Sequence, residues 1–314
     1  MAKTHTPGPI DADVHESVRG LRDLSERHEI RKPDGSLDKL LYTVSRDNFL
    51  SLSPACEGRG SARSNKAWVF GSPGSASALI QSLTGGQPTA SVWAAYQRIK
   101  ASARFDEVAD ATIQRRRRRV FSDNGCEADG ARWLAGDPEH WASMRRVGRV
   151  QSITLGMQLG LSCGNGEDDF AENTATCVVL AESLISAGYA VRLVVMNTSY
   201  NLISGASETG WIVNAVDFGQ PIDEAAILSW GTPGVCRWHA FEYAHALFSG
   251  DGRVSSTYGY CYETSAAMLK LAGIDLLVAK QWDKEKGEQK DYLSRLRDKA
   301  AAIIASGESN GGAP

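Results

Sequence analysis

Residues 150–197 read VQSITLGMQLGLSCGNGEDDFAENTATCVVLAESLISAGYAVRLVVMN, and their pattern decides the fold. Ile153, Leu155, Met157, Leu159 and Leu161 alternate with Thr154, Gly156, Gln158 and Gly160, the period of two that marks a β-strand. A polar loop, Ser162 to Asp169, follows. Then Ala171, Ala175, Cys177, Val178, Ala181, Leu184 and Ile185 recur mostly three or four apart, which makes one face of a helix. Gly188 is placed to stop that helix as the residue after its C-cap. Ala190–Met196 is continuously apolar apart from Arg192, as expected of a buried parallel strand. The stretch is a βαβ unit with a polar loop at its mouth.

Working outward, Trp211–Val216 predicts a third strand ending at Asp217, and Ile274–Ala279 a fourth parallel one. Helices are expected from Pro221 through Leu228, over about Val235–Phe248, and over Asp291–Ile303. Upstream, Val14–Ile30 has helical character, 51–66 is a Ser/Gly/Ala/Arg-rich loop, and Trp68–Ser75 a short strand and turn. Helices containing Ala78–Leu83 and Val92–Ile99 follow, and Asp129–Trp141 is a short helix and turn. Strands alternating with helices predict an α/β fold, a mainly parallel open sheet of about four to six strands flanked by helices. The expected organisation is a helical, loop-rich N-terminal extension over 1–120, the α/β domain over 121–305, and a disordered tail over 306–314.

The chain has 314 residues, 42% hydrophobic and 23% charged, which gives room for a sizeable core and argues against global disorder. No apolar run approaches the ~20 residues of a membrane span, and Met1–Pro9 lacks the apolar segment of a secretory signal. A cytoplasmic protein without a membrane partner is the expectation. Cys56, Cys126, Cys163, Cys177, Cys236 and Cys261 form no C-x-x-C pair, so spacing favours neither zinc nor a redox dithiol. Cys177 sits on the apolar helix face as a small hydrophobe. Residues 1–149 carry 23 lysines and arginines against 18 acidic residues, and 150–314 carry 11 against 19. The first half is therefore basic and the second acidic.

Ligands of open α/β sheets sit at the carboxyl ends of strands. There the sequence places Ser162, Asn165, Asp168 and Asp169, then Asn197, then Asp217, the candidate ligand-binding residues. Capping and the helix dipole alone would also favour an acid at 168 or 169. Gly160, Gly164 and Gly166 match neither a P-loop nor a dinucleotide fingerprint, and three neighbouring acids would repel phosphate. The run Arg115, Arg116, Arg117, Arg118 and Arg119 is the sharpest charge feature. It is a candidate contact for nucleic-acid phosphates, or a solvated junction balanced by Asp106, Glu107, Asp110 and Asp123. His239 and His245 are six apart, which does not put both on one helical face. No catalytic residue is assigned.

The segment Asp129-Gly-Ala-Arg-Trp-Leu-Ala-Gly-Asp-Pro-Glu-His-Trp141, followed by a strand, resembles uncharacterised proteins of tailed bacteriophages. The strand, loop, helix and strand of 150–195 also resemble Rossmann-like and von Willebrand factor A-type domains. That resemblance implies a loop Asp-x-Ser-x-Ser that holds a divalent metal through oxygen ligands. Ser162 matches one serine, whereas Gly160 stands for the Asp and Gly164 for the second Ser, so the loop is degenerate and no metal or other cofactor is assigned. The expected function is a phage-type, non-enzymatic scaffold or adaptor that binds another protein. The alternatives are a nucleic-acid partner at Arg115–Arg119, and an enzyme or divalent-cation site at the strand ends.

Overall fold

The computed structural model describes residues 25–51, 76–102, 105, 117–123, 127–146, 151–161, 165–203, 205–248, 251, 263–280 and 292–306. The expected loop at 51–66, apart from Ser51, lies outside these residues, as do the expected strand at 68–75 and the tail beyond Ser306.

A six-stranded sheet organises the chain. Its strands are β1 (Glu26–Arg31), β2 (Leu37–Val44), β6 (Ser152–Gln158), β7 (Ala190–Tyr200), β8 (Glu208–Val216) and β9 (Leu276–Val278), in the order β1-β2-β8-β7-β6-β9. A separate three-stranded sheet holds β3 (Arg117–Ser122), β4 (Glu127–Ala128) and β5 (Trp141–Arg146), in the order β3-β5-β4.

The described helices are α1 (Arg46–Ser51), α2 (Ala76–Thr84), α3 (Ala90–Ala101), α4 (Gly130–Leu134), α5 (Glu167–Ser186), α6 (Glu224–Leu228), α7 (Ala240–Phe248), α8 (Ala266–Leu271) and α9 (Tyr292–Ser306). A π-helical turn, Val235–His239, leads into α7. Gly188 takes φ +88° just past α5, where the lack of a Cβ permits the left-handed turn.

The fold is mixed α/β, and the expected α/β class holds at that level. β6 pairs parallel with both β7 and β9, and β2 parallel with β8. β1 against β2 and β8 against β7 are antiparallel, so the sheet is mostly, but not wholly, parallel. The third strand read from the sequence is the one that reverses. A short return through 201–207 carries β7 into β8, and antiparallel pairing needs no crossover helix. Ile30 lies in a strand rather than in the helix expected over 14–30. Strands β1 and β2 show that the 1–120 region supplies the sheet as well as helix and loop.

Side chains alternate between two cores. Leu40, Tyr42, Leu193, Val195, Trp211 and Val213 face the larger one, which also takes residues of α3, α5, α7 and α9. Leu41, Val194, Met196 and Ile212 face the smaller one, closed by Met268 and Ala272 of α8 and its end, with Ile274. Close approach of β7 to β8 needs a glycine: a Cβ on Gly210 would meet Thr198 Cγ2 at 2.9 Å and the Asn197 carbonyl oxygen at 3.0 Å.

An aromatic group binds the N-terminal elements to the sheet. Phe49 of α1 stacks on Trp230 (5.1 Å between centroids) and contacts Trp211 (5.0 Å), Tyr243 (5.0 Å) and His239 (4.4 Å, edge-on). His239 Nε2 donates to the Phe49 carbonyl oxygen at 3.0 Å. Burial pushes the imidazole down to about 4, although the Phe49 hydrogen bond acts the other way. His239 is thus neutral and structural.

Because its folded value lies below the ordinary 6.5, its contribution is complete above that pH and is lost as pH falls toward 4. Unfolding free energies measured in urea from neutral pH downward should decline by roughly 3 kcal/mol across this interval. His239→Gln, which keeps an N–H donor, should flatten that decline; an unchanged pH slope would assign it elsewhere.

Candidate functional site

Since β6, β7 and β9 run the same way, their carboxyl ends share one edge of the sheet with the starts of β8 and β2. A row of polar side chains crosses that edge strand by strand. At the β9 end, the Lys280 ammonium lies 2.8 Å from Asp169 Oδ1 and also contacts Glu172 Oε2. Glu172 reaches outward as well, to Arg98 of α3 at 3.1 Å. Asp169, Glu172 and Asn173 lie three and four apart on the first turns of α5, so one helix face presents all three.

Asn173 fastens that face to the sheet. Its Oδ1 accepts from the Lys280 main-chain N–H at 2.8 Å, and its Nδ2 donates to the Gln158 carbonyl at 2.9 Å. Gln158 Nε2 donates to Thr198 Oγ1 at 3.1 Å, and Thr198 meets Thr264 at 2.9 Å. Next along the edge is Glu208, fully buried, held by Lys39 at 3.0 Å, by Ser265 Oγ at 2.5 Å and by the Ser265 N–H at 3.2 Å. A buried carboxylate is tolerated because a cation and two further donors meet it.

Burial raises the Asp169 carboxyl, but the Lys280 ammonium and the Gly166 N–H, which donates to Asp169 Oδ2 at 2.8 Å, outweigh it and hold the group below its ordinary range. Burial lowers the Lys280 ammonium, and Asp169 with Glu172 outweighs that in turn, so it is raised. The two ions keep each other charged. Together with Glu172 they form an ion-paired cluster.

Of the expected site residues, two meet here. Asp169 pairs with Lys280, and Asn165, buried, donates from Nδ2 to the Lys280 carbonyl at 3.4 Å. The Asn165 carbonyl accepts from Arg237 Nη2 at 2.5 Å, and the buried Arg237 guanidinium lies 4.9 Å from the Phe170 ring centroid. Asp168 is exposed in the first turn of α5, whose N-cap is Gly166. Asn197 is buried within β7.

Gln158 Oε1, Asn165 Oδ1 and Asn197 Nδ2 have no protein hydrogen-bond partner among the described residues. Asp217 is a correction. Because β8 is antiparallel to β7, Val216 pairs with Leu193, and Asp217 falls at the opposite edge, exposed. The expected three-strand pocket therefore does not form. Ser162 lies outside the described residues. Among the described residues, no three His, Cys, Asp or Glu side chains are grouped to hold a metal ion, and none of the described helices is long and apolar enough to cross a membrane. Cys177 is fully buried, and burial pushes its thiol up to about 12, so it packs and does not react.

Sequence reading missed Lys280, Glu172, Asn173 and Arg237. The spacing 169, 172, 173 was the available signal for the helix face. A lysine directly after the apolar run Leu276–Ala279 was the other.

Arginines 115 and 116 lie outside the described residues, whereas Arg117, Arg118 and Arg119 open strand β3. Pairing with β5 sets Arg117 opposite Arg146 and Arg118 opposite Arg145. The three-stranded sheet thus gathers arginines from two stretches of sequence.

Fold and site together define a mixed α/β protein with an ion-paired sheet edge. Residues 92–299 match the family described as Domain of unknown function (DUF7192), and the chain belongs to that family. No curated protein and no solved structure matches it.

Removing the Lys280 cation leaves two carboxylates facing each other, both partly screened by solvent. Lys280→Met should cost about 2 kcal/mol, measured by urea unfolding near neutral pH. The Asp169 contribution is present above its ordinary 3.8 and lost as pH falls through its lower folded value. The gap between wild type and variant should therefore narrow in acid; a gap independent of pH would mean that packing, not charge, was lost.

Proposed function

We propose that this chain is a non-enzymatic scaffold or adaptor that binds another protein, built on a von Willebrand A-like platform with a degenerate metal loop. The observation that carries this reading is Lys280. Its ammonium sits against Asp169 and Glu172 at the strand ends, the acidic position from which a divalent cation would otherwise be held. An internal cation there neutralises the carboxylates without leaving an open coordination position for a substrate. Asn165 and Asn173 are engaged with main chain, which fixes the edge rather than opening it. Trp93 of α3 and Ile185 of α5 are exposed on the helical layer, and apolar side chains in water suit contact with a protein partner. A tailed-phage source, with action in the host cytoplasm, is part of the proposal and rests on the segment 129–141.

The deciding experiment is thermal unfolding with a chelator and then with millimolar Mg²⁺, Mn²⁺ or Ca²⁺. Binding to the native state raises the midpoint in proportion to ligand excess. Wild type should show no rise. Lys280→Met, with Asp169 left without its cation and Glu172 with Arg98 alone, should start lower and recover as cation is added. A rise in wild type that Asp169→Asn abolishes would replace the scaffold with a divalent-cation site or an enzyme.

A further inference from the structure

Helix α6 is only five residues long, and Ala226, Ile227 and Leu228 are its buried part. A helix of that length does not hold itself in water, so its neighbours set its place. Asp223 caps it, accepting from the Ala226 N–H at 3.0 Å, and Ser229 Oγ donates to the Ala226 carbonyl at 2.7 Å. The turn after α2 lies close against its main chain: a Cβ on Gly86 would meet the Ala226 nitrogen at 3.2 Å. A further tie is a group of ionisable side chains at the junction with α3 and α5.

Tyr96 and Lys100 of α3, Glu182 of α5 and Glu224 of α6 meet there. The Tyr96 hydroxyl donates to Glu182 Oε1 at 2.8 Å and accepts from Lys100 Nζ at 2.5 Å. The same ammonium lies 3.2 Å from Glu182 Oε1 and 3.9 Å from Glu224 Oε1. The Glu182 and Glu224 carboxyls are hydrogen-bonded to each other. An ionised carboxylate only accepts, so that bond contains a proton. Charge counting agrees. One ammonium neutralises one carboxylate, Arg98 is turned to Glu172 at 3.1 Å, and Asp223 adds repulsion at Glu224. Two carboxylates sharing a site do not both ionise freely.

We propose that Glu182 and Glu224 form a proton-held clasp: one shared proton ties α6 to α5, and its release as pH rises loosens α6 from the helical layer. The proton sits on Glu182. Burial and the Glu224 hydrogen bond push the Glu182 carboxyl up, and the Glu182 hydrogen bond in turn pulls Glu224 down. The Glu182 contribution is complete below its ordinary 4.5 and is lost as pH rises through its raised folded value. The Glu224 contribution is present above 4.5 and is lost as pH falls through its lowered value. The clasp is tightest between the two. Among the described residues, the ionisable groups facing the pair are Tyr96 and Lys100 from α3 and Asp223 ahead of α6. Burial pushes the Tyr96 hydroxyl up to about 12, and its Tyr96 contact raises Lys100, so both keep their protons while the pair titrates. Thirteen residues of α5, roughly 20 Å, separate Glu182 from Asp169, so the clasp does not rest on the scaffold proposal.

Hydrogen–deuterium exchange of the full chain, corrected for intrinsic rates, reads the clasp directly in residues 224–230. From about pH 4.5 to 8, protection there relative to β7 should fall, by at most about tenfold per pH unit because one proton is released. That slope is opposite in sign to the His239 effect on the whole fold. Glu224→Gln gives the Glu182 carboxylate a permanent N–H donor and leaves one carboxylate beside Lys100. Its protection over 224–230 should stay high and lose the pH slope, and Glu182→Gln should behave alike. A flat wild-type profile, or a slope that persists in both variants, would overturn the clasp. Carbon-detected NMR of the glutamate carboxyls in wild type needs no variant to fold: one carboxyl should titrate above 4.5 and its partner below. Glu182 and Glu224 both titrating at the ordinary value would overturn the clasp as well.

Discussion

The ammonium of Lys280 is the contact on which the sheet edge depends. It leaves β9 at the margin of the sheet, yet its partners Asp169 and Glu172 belong to α5, the helix that covers β6 and β7. One side chain therefore couples the last strand to the central helix, and Asn173 repeats the coupling through main chain on both sides, at Gln158 and Lys280. A three-residue strand such as β9 has few ladder hydrogen bonds of its own, and short edge strands need such external ties. The desolvation of Lys280 and Asp169 is offset because each holds the other in its charged form.

The reversal of β8 explains why the polar row is continuous. Had β8 run parallel to β7, its start would lie at the far edge, and Glu208 would be separated from Thr198 and Thr264. Running antiparallel, it brings Glu208 beside Tyr200 in register, where Lys39 and Ser265 close around it. The same reversal removes Asp217 from the candidate site. A single topological choice thus supplies one buried acid and exports another.

Much of the fold was legible in the sequence, because periodicity reports burial. The alternation of Ile153 to Met157 and the small-residue face of Ala171 to Leu184 are direct images of a strand and a helix against a core. Strand direction leaves no such image. Trp211–Val216 is apolar whichever way it runs, so the antiparallel pairing with β7 was invisible. The site was half legible. Asp169 and Asn165 could be placed from the polar loop, but their partner Lys280 is 111 and 115 residues further on in sequence, and only tertiary structure brings it back. Arg117–Arg119 stood out as a run, while their counterparts Arg145 and Arg146 become significant only through strand register.

Charge along the edge of the large sheet is balanced from within. At the edge of the large sheet, the carboxylates each meet a cation: Asp169 and Glu172 meet Lys280, and Glu208 meets Lys39. Such a row is internally balanced and presents little net field to a ligand. In the small sheet, backbone register sets Arg117 opposite Arg146 and Arg118 opposite Arg145. Topology divides the sequence unevenly: the large sheet draws β1 and β2 from the basic half and β6 to β9 from the acidic half, whereas the small sheet comes from the basic half alone, between Arg117 and Arg146.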